Sequence, residues 1–270
     1  MNKQENRPIS AERRQYLKRR SRRKGLILTC QIGVLVLFLA LWEVAGRLGW
    51  IDSFILSMPS RMVATFVDMA GQGFFHHIWV TVYETLVGFT LGVVIGVLLA
   101  ILLWWSNFVS KVSEPYLVVL NSLPKIALGP VIIVIVGAGT EAIIFMALAI
   151  SLIVTVLEML NGFKSTDPEL VKMAETFGAN KRQILLKIVI PYNIGTLFNS
   201  LKINIGLSLV GVIAGEFLVS KAGLGYLIVY GGQVFKLDLV MTSVIVLSIV
   251  AALMYEAVVL LQRIVMRHRS

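Results

Sequence analysis

Ionisable side chains stand where the rest of the sequence is leucine, valine, isoleucine and glycine: Glu84, Lys125, Glu158, Lys202 and Glu216. A lysine near the middle of an apolar span costs roughly 2.5–3.5 kcal/mol on insertion scales, so Lys125 must face a partner, a cavity or a cluster of carbonyls rather than lipid. It lies in Asn121-Ser-Leu-Pro-Lys-Ile-Ala-Leu-Gly-Pro130, where two prolines forbid a regular helix. Two readings follow, a structural lysine that snorkels or pairs with Glu158 or Glu216, and a group on a transport path. Further along, Ser200, Asn204, Ser208, Gly211 and Gly215 recur at spacings that put them on one helix face, with Glu216 beside its end. Such a small and polar stripe either packs against another helix or lines a water-accessible path. Lys125, Ser200, Asn204, Ser208 and Glu216 are the candidate pathway residues.

Other chemistries lack their residues. The sequence holds no G-x-x-x-x-G-K-[ST] to cradle a phosphate, no Ser/His/Asp set, no CxxC pair and no H-E-x-x-H. The chain is expected not to be an enzyme by itself and to bind no cofactor. His76 and His77 have no third ligand at useful spacing, and Cys30, alone in an apolar run, reads as packing. Moving a solute against a gradient would then draw on a partner or on ion coupling.

A second group of residues suits docking. Ser165 to Pro191 is a water-compatible island between long apolar runs. Asp167 is a good N-cap and Pro168 suits the first helical position, while Leu170, Met173, Ala174 and Phe177 recur at i, i+3, i+4, i+7 and predict one apolar stripe. Gly178 supplies a stop that tolerates left-handed backbone. Asn180 with Gln183 predicts a second N-cap and capping box, and Ile184, Leu185 and Ile188 carry a second helix toward Pro191. Lys181, on the polar side, is expected to matter less than Phe177.

These residues need elements to hold them. With 57% hydrophobic and 15% charged residues, and the hydrophobicity in blocks of about twenty, the sequence predicts an all-α integral membrane protein. Spans are expected near 26–45, 78–104, 115–136, 142–162, 191–219 and 238–262. Residues 1–24 carry ten Lys or Arg against Glu5 and Glu12, which is +8 of the formal +10. Immediately before a span, the positive-inside rule and anionic lipid account for that arm, and nucleic acid is not expected. The arm places the N-terminus in the cytoplasm. Six spans return Arg263, Arg267 and Arg269 to the same side, and put 164–190 there as well. Gly88, Gly92 and Gly96 predict a face for close helix packing. The expected divisions are a basic arm at 1–24, a first span and external segment at 25–77, a five-helix core at 78–262 and a basic tail at 263–270.

The island resembles the cytoplasmic coupling loop of binding-protein-dependent ABC importer permeases, whose pattern is E-A-A, three residues, Gly, nine residues, I-x-L-P. Ala174, Gly178, Ile188 and Pro191 keep that spacing, whereas Lys172 stands where the family has Glu and Met173 where it has Ala. SMPSRMVATF in 57–66, the proline-lysine segment around Lys125 and VIAGEFLVSKAGLGYLI in 212–228 are similar to the nitrate, sulfonate, taurine and thiamine-precursor branch. Glu84 stands where relatives often carry a basic residue. The resemblance, over about 55–262, implies the type I permease fold with six transmembrane helices in the bacterial inner membrane. It implies a homodimer with a second permease copy, two ABC ATPase subunits that use ATP and Mg, and an extracytoplasmic solute-binding protein. Leu170, Met173, Ala174, Glu175, Phe177, Gly178, Ala179 and Pro191 would form the ATPase-coupling surface. An ion-coupled secondary transporter, or a membrane scaffold recruiting a soluble partner, are the alternatives.

Overall fold

The computed structural model describes residues 11–267, so the first ten residues of the basic arm and the last three of the basic tail lie outside the described residues. From Ala11 the arm is already helical and continues into the apolar run as one helix, α1 (Ala11–Arg47). Arginine and lysine are good helix formers, so nothing stops the helix where composition changes. Cys30, expected to pack, is exposed on it. Near the end of α1, Glu43 receives the Arg47 Nε at 2.8 Å and caps the start of α2 (Pro59–Ala70), accepting from the Ser60 N–H at 3.1 Å and the Ser60 hydroxyl at 2.9 Å. The chain divides into two units, one up to Ala64 and one from Thr65.

The second unit is built on three helices, α3 (Phe74–Trp105), α6 (Thr140–Lys164) and α10 (Ile194–Val219), with α6 packed against both of the others. Small residues make this approach possible. A Cβ on Gly88 would meet the Ala147 Cβ at 2.6 Å and one on Gly96 the Thr155 Cβ at 2.7 Å, while one on Gly92 would collide with the Ser151 hydroxyl. The glycine face of α3 therefore runs along Ala147, Ser151 and Thr155 of α6, as its spacing predicts.

The span expected near 115–136, whose prolines forbid a regular helix, is two helices. α4 (Asn107–Ser122) meets a short 3-10 turn (Lys125–Leu128) and α5 (Gly129–Val136) at a bend of 82°. Pro124 has no N–H to give and forces the residue before it out of the helical region, and Leu123 is extended at φ −64°, ψ 137°. Five helices among the described residues are long and apolar enough to cross a membrane, six if the bent pair crosses as one. Residues expected to form a loop near 220–236 hold a further short helix, α11 (Leu224–Gln233), which packs on α12 (Leu237–Arg267).

Candidate functional site

Between α6 and α10 the chain leaves the bundle as α7 (Pro168–Thr176) and α8 (Lys181–Ile184), then widens to a π-turn at Leu185–Val189 and closes through α9 (Ile190–Tyr192). The local signals act as written. The Asp167 carboxylate accepts from the Glu169 N–H at 2.9 Å, Gly178 sits at φ 77°, and Asn180 and Gln183 cap each other's backbone N–H groups at 2.9 Å.

Packing then sorts the apolar residues in a way that spacing does not. Ala174 turns inward with Val171 and Ala179, against a core of Met159, Leu160, Phe163, Ile184, Leu185 and Val189. Leu170, Met173 and Phe177 face outward, with Phe177 84% exposed. The predicted single stripe is thus two faces, one rooting the loop and one presenting an apolar ridge; Glu175 is exposed on the same helix and Pro191 is half-buried at the loop's end. A groove of about 310 Å³ opens beside the ridge, lined by Phe177, Gly178, Ala179, Gln183, Lys187 and Ile188.

Two residues that spacing did not flag hold the loop. Asn193, 2% exposed, donates to the Thr166 hydroxyl at 2.8 Å and to the Val189 carbonyl at 2.9 Å, so one amide ties the loop's first and last residues together. Lys181, expected on the polar side to matter less than Phe177, donates to the Trp105 carbonyl at 2.5 Å and lies over the Trp104 and Trp105 rings at 5.7 and 5.8 Å. It satisfies a carbonyl left open at the C-terminus of α3, where a cation is also favoured by the helix dipole. No sequence spacing links residue 181 to residue 105.

The pathway candidates separate. Ser200, Asn204 and Ser208 are buried inside the chain, and the same face of α10 lies against α6, since a Cβ on Gly211 would meet the Ala147 Cα at 2.7 Å and one on Gly215 the Ile143 Cα at 3.1 Å. Within the single chain, then, the stripe packs against α6. Lys125 makes no ion pair with Glu158 or Glu216; its Nζ donates to the Asn121 carbonyl at 2.9 Å, supplying the hydrogen bond that the break after α4 removed. Glu216 is buried at the end of the bundle away from the loop, accepting from the Thr81 hydroxyl at 2.6 Å and the Gly225 N–H at 2.5 Å. Lys202 instead borders a cavity of about 230 Å³ between α10 and α12, with Leu209, Met254 and Tyr255.

Residues 92–270, two thirds of the chain, match the family model described as binding-protein-dependent transport system inner membrane component. The chain belongs to this family. The match takes in the loop, the α10 seam and Glu216. This permease is 26% identical over 235 residues to the formylaminopyrimidine transport permease protein ThiX of Halalkalibacterium halodurans, covering 87% of this chain and 94% of that one. It is also 26% identical over 248 residues to the putative aliphatic sulfonates transport permease protein SsuC of Bacillus subtilis, covering 92% and 88%. Among solved structures, the MetNI methionine ABC transporter in an inward-facing conformation aligns with a TM-score of 0.64 at 22% identity, over 71% of this chain and 95% of that one. The permease therefore has the type I ABC importer permease fold and is a multi-pass membrane protein of a small-solute importer. Its family works in general with a separate ATPase and a binding protein.

Proposed function

We propose that the permease moves a small solute of the nitrate, sulfonate, taurine or vitamin-precursor class across the bacterial inner membrane, driven by an ATPase that grips residues 164–190. The observation that carries the reading is the apolar ridge of Leu170, Met173 and Phe177 on a loop whose base is fixed by Asn193 and by the core. An exposed apolar patch of this kind outside the spans marks an interaction surface, and a loop fastened at both ends passes force from its partner into α6 and α10.

Two ATPase subunits, holding ATP and Mg, engage one such loop from each permease of a homodimer. An extracytoplasmic binding protein docks on the opposite side, and the two partners bias one equilibrium between inward-open and outward-open states. The N- and C-termini lie on the ATPase side. Lys125 and Lys202 supply positive charge for an anionic solute, in keeping with the sulfonate relative, while the formylaminopyrimidine relative keeps vitamin precursors in the class.

The test is Gly178→Glu. A Cβ at Gly178 meets nothing within 4 Å, so the strain comes from the positive φ alone, roughly 1 kcal/mol or more in the left-handed region. At matched membrane abundance, the variant should insert normally but lose most co-purification of the ATPase and most uptake. Retention of both would remove this stretch as the coupling element. Uptake driven by an ion gradient with no ATPase present would replace the importer reading with a secondary transporter.

A further inference from the structure

At the end of the bundle away from the loop, α3, α10 and the turn before α11 enclose two carboxyls. Glu84 and Glu216 are each 1% exposed, and they are neighbours, with Thr140 at the start of α6 as the other polar group beside Glu84. The pair is asymmetric. Glu216 accepts from the Thr81 hydroxyl at 2.6 Å through one oxygen and from the Gly225 N–H at 2.5 Å through the other. Glu84 makes no hydrogen bond of standard geometry at either oxygen, the Thr140 hydroxyl lying beside it. The other titratable groups on the elements around them are His76, His77 and Tyr83 on α3, Glu141, Glu158 and Lys164 on α6, Lys202 on α10, Lys221 in the turn, and Tyr226 and Tyr230 on α11. His77 is occupied, accepting from the Gly223 N–H at 3.0 Å, and none of these side chains is a partner of either carboxyl.

Two adjacent carboxylates out of reach of water and of any cation cannot both keep their charge. We propose that Glu84 and Glu216 form a proton-binding site, in which a single proton carried by Glu84 is donated to the Glu216 carboxylate. The placement follows from the donors. A carboxylate that already receives a hydroxyl and a backbone N–H is the stabilised anion, whereas the buried carboxyl that receives neither is the one satisfied by carrying a proton of its own.

The proton also fixes the turn. Thr81 donates to Glu216 and accepts from the Leu224 N–H at 2.8 Å, so α3, α10 and the start of α11 meet on the Glu216 carboxylate. Gly223 and Gly225 lie so close that a Cβ on either would run into the Glu216 side chain. Removing the proton leaves two like charges in this corner and pushes α3 away from the turn. The sign with pH is set by linkage. The folded chain holds a proton that a solvated carboxyl, with a pKa of about 4.3, has released at neutral pH, so the folded state binds more protons and its stability falls as pH rises.

The experiment is infrared spectroscopy and thermal unfolding of the full chain in lipid nanodiscs, in a Glu158→Gln background because the Glu158 Oε2 is also buried without a partner. At neutral pH the carbonyl band of a neutral carboxylic acid should be present and should disappear in Glu84→Gln, which keeps the shape and an N–H donor. The fall in midpoint temperature from neutral to alkaline pH should flatten in the same variant. An unchanged band in Glu84→Gln, or no band at neutral pH, would overturn the proposal. So would alkaline stability that depends on added sodium with no acid band, since a small cation would then occupy the pair. If Glu84→Gln does not fold, the unsubstituted pair decides: a band lost together with thermal stability on raising pH supports the site, and a band absent throughout defeats it.

Discussion

Asn193 and Lys181 show how single side chains fix the loop. Asn193 uses both amide hydrogens on the loop ends and accepts from the Thr196 hydroxyl at 3.3 Å. Asn193→Asp keeps the acceptor and removes the donors, leaving a buried Thr166 hydroxyl and the Val189 carbonyl unsatisfied at about 1–3 kcal/mol. It should lower the thermal midpoint and expose the loop to protease as strongly as Asn193→Leu does. The contrast between Lys181 and Phe177 is a second expectation. Phe177→Ala removes an exposed side chain and should leave stability within about 0.5 kcal/mol while weakening ATPase capture. Lys181→Ala loses a carbonyl partner and two ring contacts, and should cost on the order of 1 kcal/mol in thermal unfolding before any partner is added.

The elements are held by backbone approach rather than by bulky side chains, because lipid removes most of the hydrophobic drive between helices and leaves close packing to do the work. Gly92 on α3 faces Ser151 on α6 with no room for a Cβ, so Gly92→Val should separate α3 from α6 and cost about 1–3 kcal/mol by overpacking. Gly206 on α10 has nothing within 4 Å of an added Cβ. Gly206→Ala should be neutral, or stabilising by up to about 1 kcal/mol through helix propensity. Thermal unfolding of the two variants in one detergent compares them directly; equal destabilisation would show that the ladder is not what joins the helices.

For the molecule as a whole, the bent pair decides the topology. If α4 and α5 cross the membrane together, the described helices make six crossings and both ends share a side; if they enter and leave by the same face, five crossings place the ends on opposite sides. Arg263 and Arg267 in the last turns of α12, Arg269 after it, and the basic residues ahead of the first span favour the same side. A reporter after Ser270 should therefore be cytoplasmic, together with one in the α7–α8 loop, and one placed in 220–236 should be external. Reporters showing an external C-terminus would establish the re-entrant arrangement.

Local chemistry was legible in the sequence because it acts over a few residues. The cap at Asp167, the box at Asn180 and Gln183, the left-handed stop at Gly178, the break at Pro124 and the glycine face of α3 are all set by backbone sterics or helix period. The family pattern from Ala174 to Pro191 was legible for the same reason. What periodicity leaves open is which neighbour a face meets. The Ser200–Asn204–Ser208 stripe has the spacing of a lining and of a seam alike, and only the position of α6 buries it within the chain. Likewise Ala174 parted from Phe177 because a core of α6 and α8 residues lies beneath one and not the other. The contacts that hold the working parts, Lys181 on Trp105, Asn193 on Thr166 and Glu84 beside Glu216, join residues dozens to more than a hundred positions apart. Their energy comes from burial that exists only once the helices have packed, and so the tertiary structure alone decided them.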